Sequence, residues 1–120
     1  MANEITIKAG IALSNGLLIV KDTSTTKRFT QTTARGGNPG VVDVGTSEET
    51  ISFGDCVPGW TEFENLDTTN YVQVGFSTTV YGFRLLANGG KAIVYLESGA
   101  TVYVKANTAA CKVKITALNQ

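Results

Sequence analysis

Cys111-Lys112-Val113-Lys114-Ile115-Thr116-Ala117-Leu118 decides the fold class. Val113, Ile115 and Ala117 fall on one side of an extended chain, and Lys112, Lys114 and Thr116 on the other. That period of two marks a strand with one buried and one wet face. Glu4-Ile5-Thr6-Ile7-Lys8-Ala9 alternates in the same way, and Thr101 to Ala106 sets Val102 and Val104 against Tyr103 and Lys105. Leu17–Val20 and Ala92–Leu96 are continuously apolar and read as strands buried on both faces, with short buried helices the competing reading. Their β-branched content and flanking Gly or Asn favour strand.

Turn chemistry separates these runs. Asn15-Gly16 sits between two of them as a two-residue hairpin turn, and Asn88-Gly89-Gly90, Ser98-Gly99 and Asp67-Thr68-Thr69-Asn70 punctuate the rest. Gly36-Gly37-Asn38-Pro39-Gly40 reads as the strongest loop of the chain. Eight to ten strands are expected, over about 4–13, 17–21, 27–31, 40–44, 49–53, 60–64, 71–76, 80–86, 91–96, 101–106 and 112–118, with some merging. Many short strands with Gly-rich turns and no amphipathic helical run predict an all-β fold, an antiparallel β-sandwich of jelly-roll type. The expectation is one sandwich domain over residues 1–120, with Asp22–Gly40 as a long polar loop or arm.

Composition narrows the function. The chain has 120 residues, the size of one domain, and only 17% of them are charged, below the roughly 25% usual for soluble domains. Seventeen threonines and six serines supply a neutral polar surface in their place. Ten Lys and Arg balance ten Asp and Glu, so the chain lacks the positive field that nucleic-acid binding uses. No apolar run approaches the roughly 18 residues of a membrane helix. Met1-Ala2-Asn3-Glu4 leads straight into patterned sequence without a basic, apolar leader, so folding in the cytosol is expected. Cys56 and Cys111 are too few for a disulfide framework and read as buried reduced thiols, with a single bridge the alternative.

The chemistry-bearing residues are sparse. There is no histidine, which removes Ser-His-Asp and Cys-His catalysis and the common metallohydrolase motifs. Gly36-Gly37 lacks the Lys-Ser/Thr of a phosphate-binding loop. Glu62 and Glu64 share one face of a predicted strand, a spacing compatible with a glycosidase pair but also with any solvated strand. Glu48-Glu49 reads as a charged loop before a strand. Asp43, Asp55 and Asp67 are too dispersed for a calcium loop. Trp60 and Phe63 fall on opposite faces of one strand, so one of them is core. The aromatics Tyr71, Phe76, Tyr81, Phe83, Tyr95 and Tyr103 read as sheet packing, with a sugar-binding platform the alternative. No catalytic, cofactor or metal residues are assigned, and no cofactor is expected. Lys27, Arg28 and Arg35 make a small basic cluster, and with Asn38 they are the candidates for partner contact.

Several blocks in order resemble small virion structural proteins of tailed bacteriophages. They are Ala2-Asn3-Glu4-Ile5-Thr6; Gln31-Thr32-Thr33-Ala34-Arg35-Gly36-Gly37 followed by Val42-Asp43-Val44-Gly45-Thr46-Ser47-Glu48-Glu49; Glu64 through Gly75; and Leu96 through Ala106. The likeness covers most of the chain. It implies a jelly-roll-like sandwich on the assembled particle, nearest to capsid decoration, or cement, proteins. Such proteins cap the capsid lattice, commonly as homotrimers bound to the major capsid protein. The resemblance transfers no site residues. A neutral Thr-rich β-domain made in the host cytoplasm suits dense repetition on a shell, since strong like charge would make neighbouring copies repel. The Asp22–Gly40 segment and the N-terminal residues are the expected lattice contacts. The alternative is a tail, collar or fibre component that binds a host-surface glycan; a small glycosidase is a third reading.

Overall fold

The computed structural model describes residues 3–120, with side chains at all of these except 23 and 24. Among the described residues there are ten strands and no helix. They are β1 (Ile5–Asn15), β2 (Leu18–Phe29), β3 (Gly36–Val44), β4 (Glu49–Thr50), β5 (Pro58–Asn65), β6 (Val72–Gly75), β7 (Phe83–Leu85), β8 (Lys91–Tyr95), β9 (Tyr103–Ala106) and β10 (Cys111–Asn119). Every pairing is antiparallel. The chain divides into two compact units, Met1–Thr33 and Ala34–Gln120. The sandwich expected over 1–120 therefore occupies the second unit, and the first is a separate hairpin.

In the first unit β1 and β2 pair from Ile5↔Phe29 to Asn15↔Leu18, with a register shift between Ala9 and Ile11. The two-residue turn is Gly16-Leu17, one position beyond the Asn15-Gly16 expected from sequence. Gly16 takes φ +58°, a conformation that costs a residue without Cβ little. The register sets Ile5, Ile7, Ala9, Ile11 and Leu13 on one face with Phe29, Val20 and Leu18.

The second unit is two four-stranded sheets, ordered β3-β10-β5-β8 and β4-β9-β6-β7. The pairing is nested: β3 with β10, β4 with β9, β5 with β8 and β6 with β7. Period-two patterning puts alternate residues inside. β10 buries Cys111, Val113, Ile115 and Ala117 while Lys112 and Lys114 stay exposed, as its sequence predicts. β5 buries Thr61 and Phe63 and turns Trp60, Glu62 and Glu64 outward, so Phe63 is the core member of the aromatic pair. Val72, Val74, Leu85, Val104 and Ala106 from the other sheet meet them in a single apolar core. Cys56 and Cys111 are both buried and unbridged.

The polar segment 22–40 is not one open loop. Residues 22–29 complete β2, 36–40 open β3, and only 30–35 connect them. Polar Thr-rich sequence becomes strand here because β1 satisfies its backbone groups from Ile5 to Ala9. Gly36–Gly40 becomes strand because β10 pairs with Gly36, Asn38, Pro39 and Gly40, a register shift passing over Gly37. Pro39 is tolerated since β3 lies at a sheet edge, where one side of the strand needs no ladder bonds.

Candidate functional site

The expected contact residues do not form one patch. Lys27 and Arg28 lie on β2, opposite Ile7 and Thr6, and therefore on opposite faces of the hairpin. Arg35 and Asn38 belong to the sandwich unit and brace one loop. The Arg35 Nη1 donates to the Asp55 carbonyl at 2.8 Å, and the Asn38 Nδ2 donates to the Phe53 carbonyl at 3.4 Å. Both side chains thus hold the chain between β4 and β5 in place.

The carboxylates are dispersed as well. Asp43 pairs with Lys112 at 2.8 Å, both well exposed, a geometry worth little in water. Glu64 stands opposite Lys114 and Lys91 on its two neighbouring strands, and Glu62 opposite Thr116 and Ile93. The Asp67 carboxylate accepts the backbone N–H groups of Thr69 (3.0 Å) and Asn70 (2.7 Å), closing the expected turn. Those bonds hold its pKa below the usual carboxylate value. Among the described residues no three His, Cys, Asp or Glu side chains gather where they could share a metal ion.

Glu48 has a role that sequence did not reveal. Its carboxylate accepts the Thr78 hydroxyl at 2.6 Å, the Thr79 N–H at 2.7 Å and the Tyr81 hydroxyl at 2.6 Å. It thereby pins the β6–β7 connection to the β3–β4 connection. The Thr78, Tyr81 and Thr79 bonds, in that order, lower the Glu48 pKa, while the Tyr81 phenol is pushed up to about 12 by the same carboxylate. Gly75 is required beneath this loop, because a Cβ there would overlap the Val80 carbonyl oxygen.

Two exposed apolar surfaces stand out among the described residues. The first is the hairpin tip, Ile11-Ala12-Leu13-Ser14-Asn15-Gly16-Leu17-Leu18-Ile19-Val20, ten residues without a charge. Leu17 is fully exposed at 104%, Ile11 stands at 73% and Ile19 at 70%. The expectation that Leu17–Val20 is buried on both faces is therefore corrected: both faces are open, because the described hairpin has only two strands and no second layer of its own. The second surface is a cavity of about 340 Å³ in the sandwich unit, lined by Phe76, Val94, Tyr95, Leu96, Glu97 and Ala100. It lies along β8, an edge strand. Tyr95 also meets Trp60 edge-to-face at 5.5 Å between ring centres. A clue to the tip was present in the sequence: apolar runs on both sides of a turn, with no charge between Lys8 and Lys21.

Protein-family models, curated proteins and solved structures were each compared with the chain, and none matches.

Proposed function

We propose that this chain is a structural protein of a tailed-bacteriophage virion: a capsid decoration, or cement, protein. It binds the major capsid protein on the outer shell, stabilises that shell and self-associates as a homotrimer after synthesis in the host cytoplasm. The observation that carries this is the hairpin, whose uncharged tip exposes Ile11, Leu13, Leu17, Leu18, Ile19 and Val20. A small protein that displays such a surface is built to have it covered, and assembly into a repeating lattice covers it. The nested strand pairing adds support. Such nesting is what a long hairpin rolled into two sheets would have, the arrangement of the jelly rolls that recur in viral capsid domains. The resemblance carried by the sequence blocks points the same way. The mechanism is mechanical: each copy bridges neighbouring shell subunits, and many weak contacts add through multivalency.

Cryo-electron microscopy of the virion tests the proposal. Density for the sandwich as three-fold knobs on the outer capsid is the expected result, and density only on the tail or a fibre overturns it. The second reading, a tail, collar or fibre module for host-surface glycans, is favoured by one observation. Trp60 and Tyr95 present a T-shaped aromatic pair beside an apolar cavity, and aromatic faces stack on sugar rings. A glycan array on which Trp60→Ala abolishes a wild-type signal supports it, and an array without signal removes it.

A further inference from the structure

We propose that the uncharged hairpin tip of one copy docks into the apolar cavity along β8 of a second copy, making a heterologous, head-to-tail contact. This rests on the self-association in the reading above but not on the particle that the protein decorates.

Three observations carry it. The tip and the cavity are complementary in character. Leu17, Leu18 and Ile19 stand exposed at the turn, and the cavity, roomy enough for a pair of such side chains, is walled by Phe76, Val94, Tyr95 and Leu96. Phe76 and Tyr95 are themselves exposed, so the chain presents both halves of the contact uncovered.

The charge distribution is the second. The formal net charge of zero conceals a division. The Met1–Thr33 unit carries Lys8, Lys21, Lys27 and Arg28 against Glu4 and Asp22, a net +2. The Ala34–Gln120 unit carries six Lys and Arg against eight Asp and Glu, a net −2. Two hairpins would repel one another, and so would two sandwiches, whereas hairpin on sandwich attracts. That arithmetic favours hairpin-on-sandwich contact, and the three-fold self-association of the reading above makes it head-to-tail, because a reciprocal exchange closes as a dimer.

The third observation is local. The first charges beyond the tip are the cations Lys8 and Lys21, and the one charged residue lining the cavity is Glu97, an acid. An apolar centre with a charged pair at its rim is the usual anatomy of a specific protein contact. Head-to-tail contacts close into rings when the rotation per copy allows it, and otherwise run on as open chains.

Complementary variants of the purified chain, with no shell present, test this. Leu17→Ser combined with Leu18→Ser alters only exposed side chains and leaves the cavity intact. Glu97→Lys reverses the rim charge and leaves the hairpin intact. Association is followed by analytical ultracentrifugation, with circular dichroism as the check on folding. Wild type is expected to associate. The leucine variant is expected to weaken association on the order of a hundredfold, the scale of losing a buried anchor. Glu97→Lys is expected to weaken it on the order of tenfold, and Lys21→Glu mixed with Glu97→Lys to restore it.

A phenylalanine variant separates the two ends of the contact. Phe76→Ser, which opens the cavity wall, is mixed with the leucine variant. Each is expected to stay monomeric alone, while the mixture forms a one-to-one dimer, because one partner keeps an intact tip and the other an intact cavity. A wild-type chain that stays monomeric overturns the proposal, as does association that survives the leucine substitutions, and so does a mixture that stays monomeric while the wild type associates. If the wild type is monomeric yet still decorates capsids, this contact fails and the decoration reading stands. If it associates as described but is found on no capsid, the reverse holds.

Discussion

The hairpin and the sandwich are built from the same period-two strands, yet they treat apolar side chains in opposite ways. In the sandwich, Phe63, Val113 and Ile115 are completely buried between two sheets. In the hairpin, Ile11, Ile19 and Leu17 stand in the open. Composition does not cause the difference, since the tip is as apolar as any core strand. Layering does: a sheet needs a second layer to bury its face, and the described hairpin has only its two strands. A lone two-stranded hairpin is marginally stable in water, so a layer over its tip would add to its order.

Amide hydrogen exchange gives the largest expected effect. At concentrations where the chain is monomeric, amides in Ala9–Ile19 should exchange with almost no protection. Those of β10 and β5 should exchange only through global unfolding, a gap of about 5–15 kcal/mol for a small domain. Equal protection in the two regions would break the comparison by showing that the tip is already covered.

Paired truncations sharpen it further. Phe63→Ala removes a fully buried ring that packs edge-to-face on Phe83 at 6.1 Å, and should cost about 3–5 kcal/mol in denaturant unfolding. Leu17→Ala, in the open turn, should change unfolding by no more than about 0.5 kcal/mol. A large loss from Leu17→Ala in the monomer would mean that the tip packs within its own chain.

These contrasts also explain what was legible in the sequence. β10 and β5 could be read directly, because each has one buried and one wet face, and alternation records that division. Leu17–Val20 could not, because an apolar run reports a preference for burial and says nothing of whether a layer is present to satisfy it. Residues 22–26 looked like loop because Thr and Asp carry little periodic signal; their strand identity comes from β1 across the ladder. Gly36–Gly40 looked like loop for a related reason, since an edge position beside β10 forgives Gly and Pro. The candidate contact residues Lys27, Arg28, Arg35 and Asn38 are close in sequence, but the boundary at residues 33 and 34 divides them. Polar ties between distant segments left no local pattern at all.

Asn65 is one such tie and belongs to the sandwich alone. It is fully buried, yet its Nδ2 donates to the carbonyls of Asn70 at 2.8 Å and Leu85 at 3.0 Å, and its Oδ1 accepts the Asp67 N–H at 2.9 Å. One amide thus joins the end of β5, the following turn and β7. Asn65→Ala leaves two carbonyls and an N–H without that partner and should cost about 1–3 kcal/mol by thermal or denaturant unfolding. A neutral result would mean that water takes over all three bonds, and that this end of the sandwich is as open as the hairpin.

The smallest effect concerns acid. The Glu48 carboxylate accepts three hydrogen bonds, so its folded-state pKa lies below its unfolded one. Its contribution to stability is therefore complete above the ordinary carboxylate range and disappears as pH falls through the lowered folded value. Asp67 acts in the same direction through its two backbone donors. Both groups sit in loops of the sandwich unit, so acid should loosen the β6–β7 connection and the 67–70 turn while leaving the apolar core packed. Glu48→Gln keeps the shape but removes the charge that Thr78, Thr79 and Tyr81 address. Its melting temperature should lie below wild type at neutral pH and converge with it in acid. A constant offset across the titration would show that shape alone holds the loop, because only a charge-dependent bond loses its advantage when the carboxylate takes up a proton.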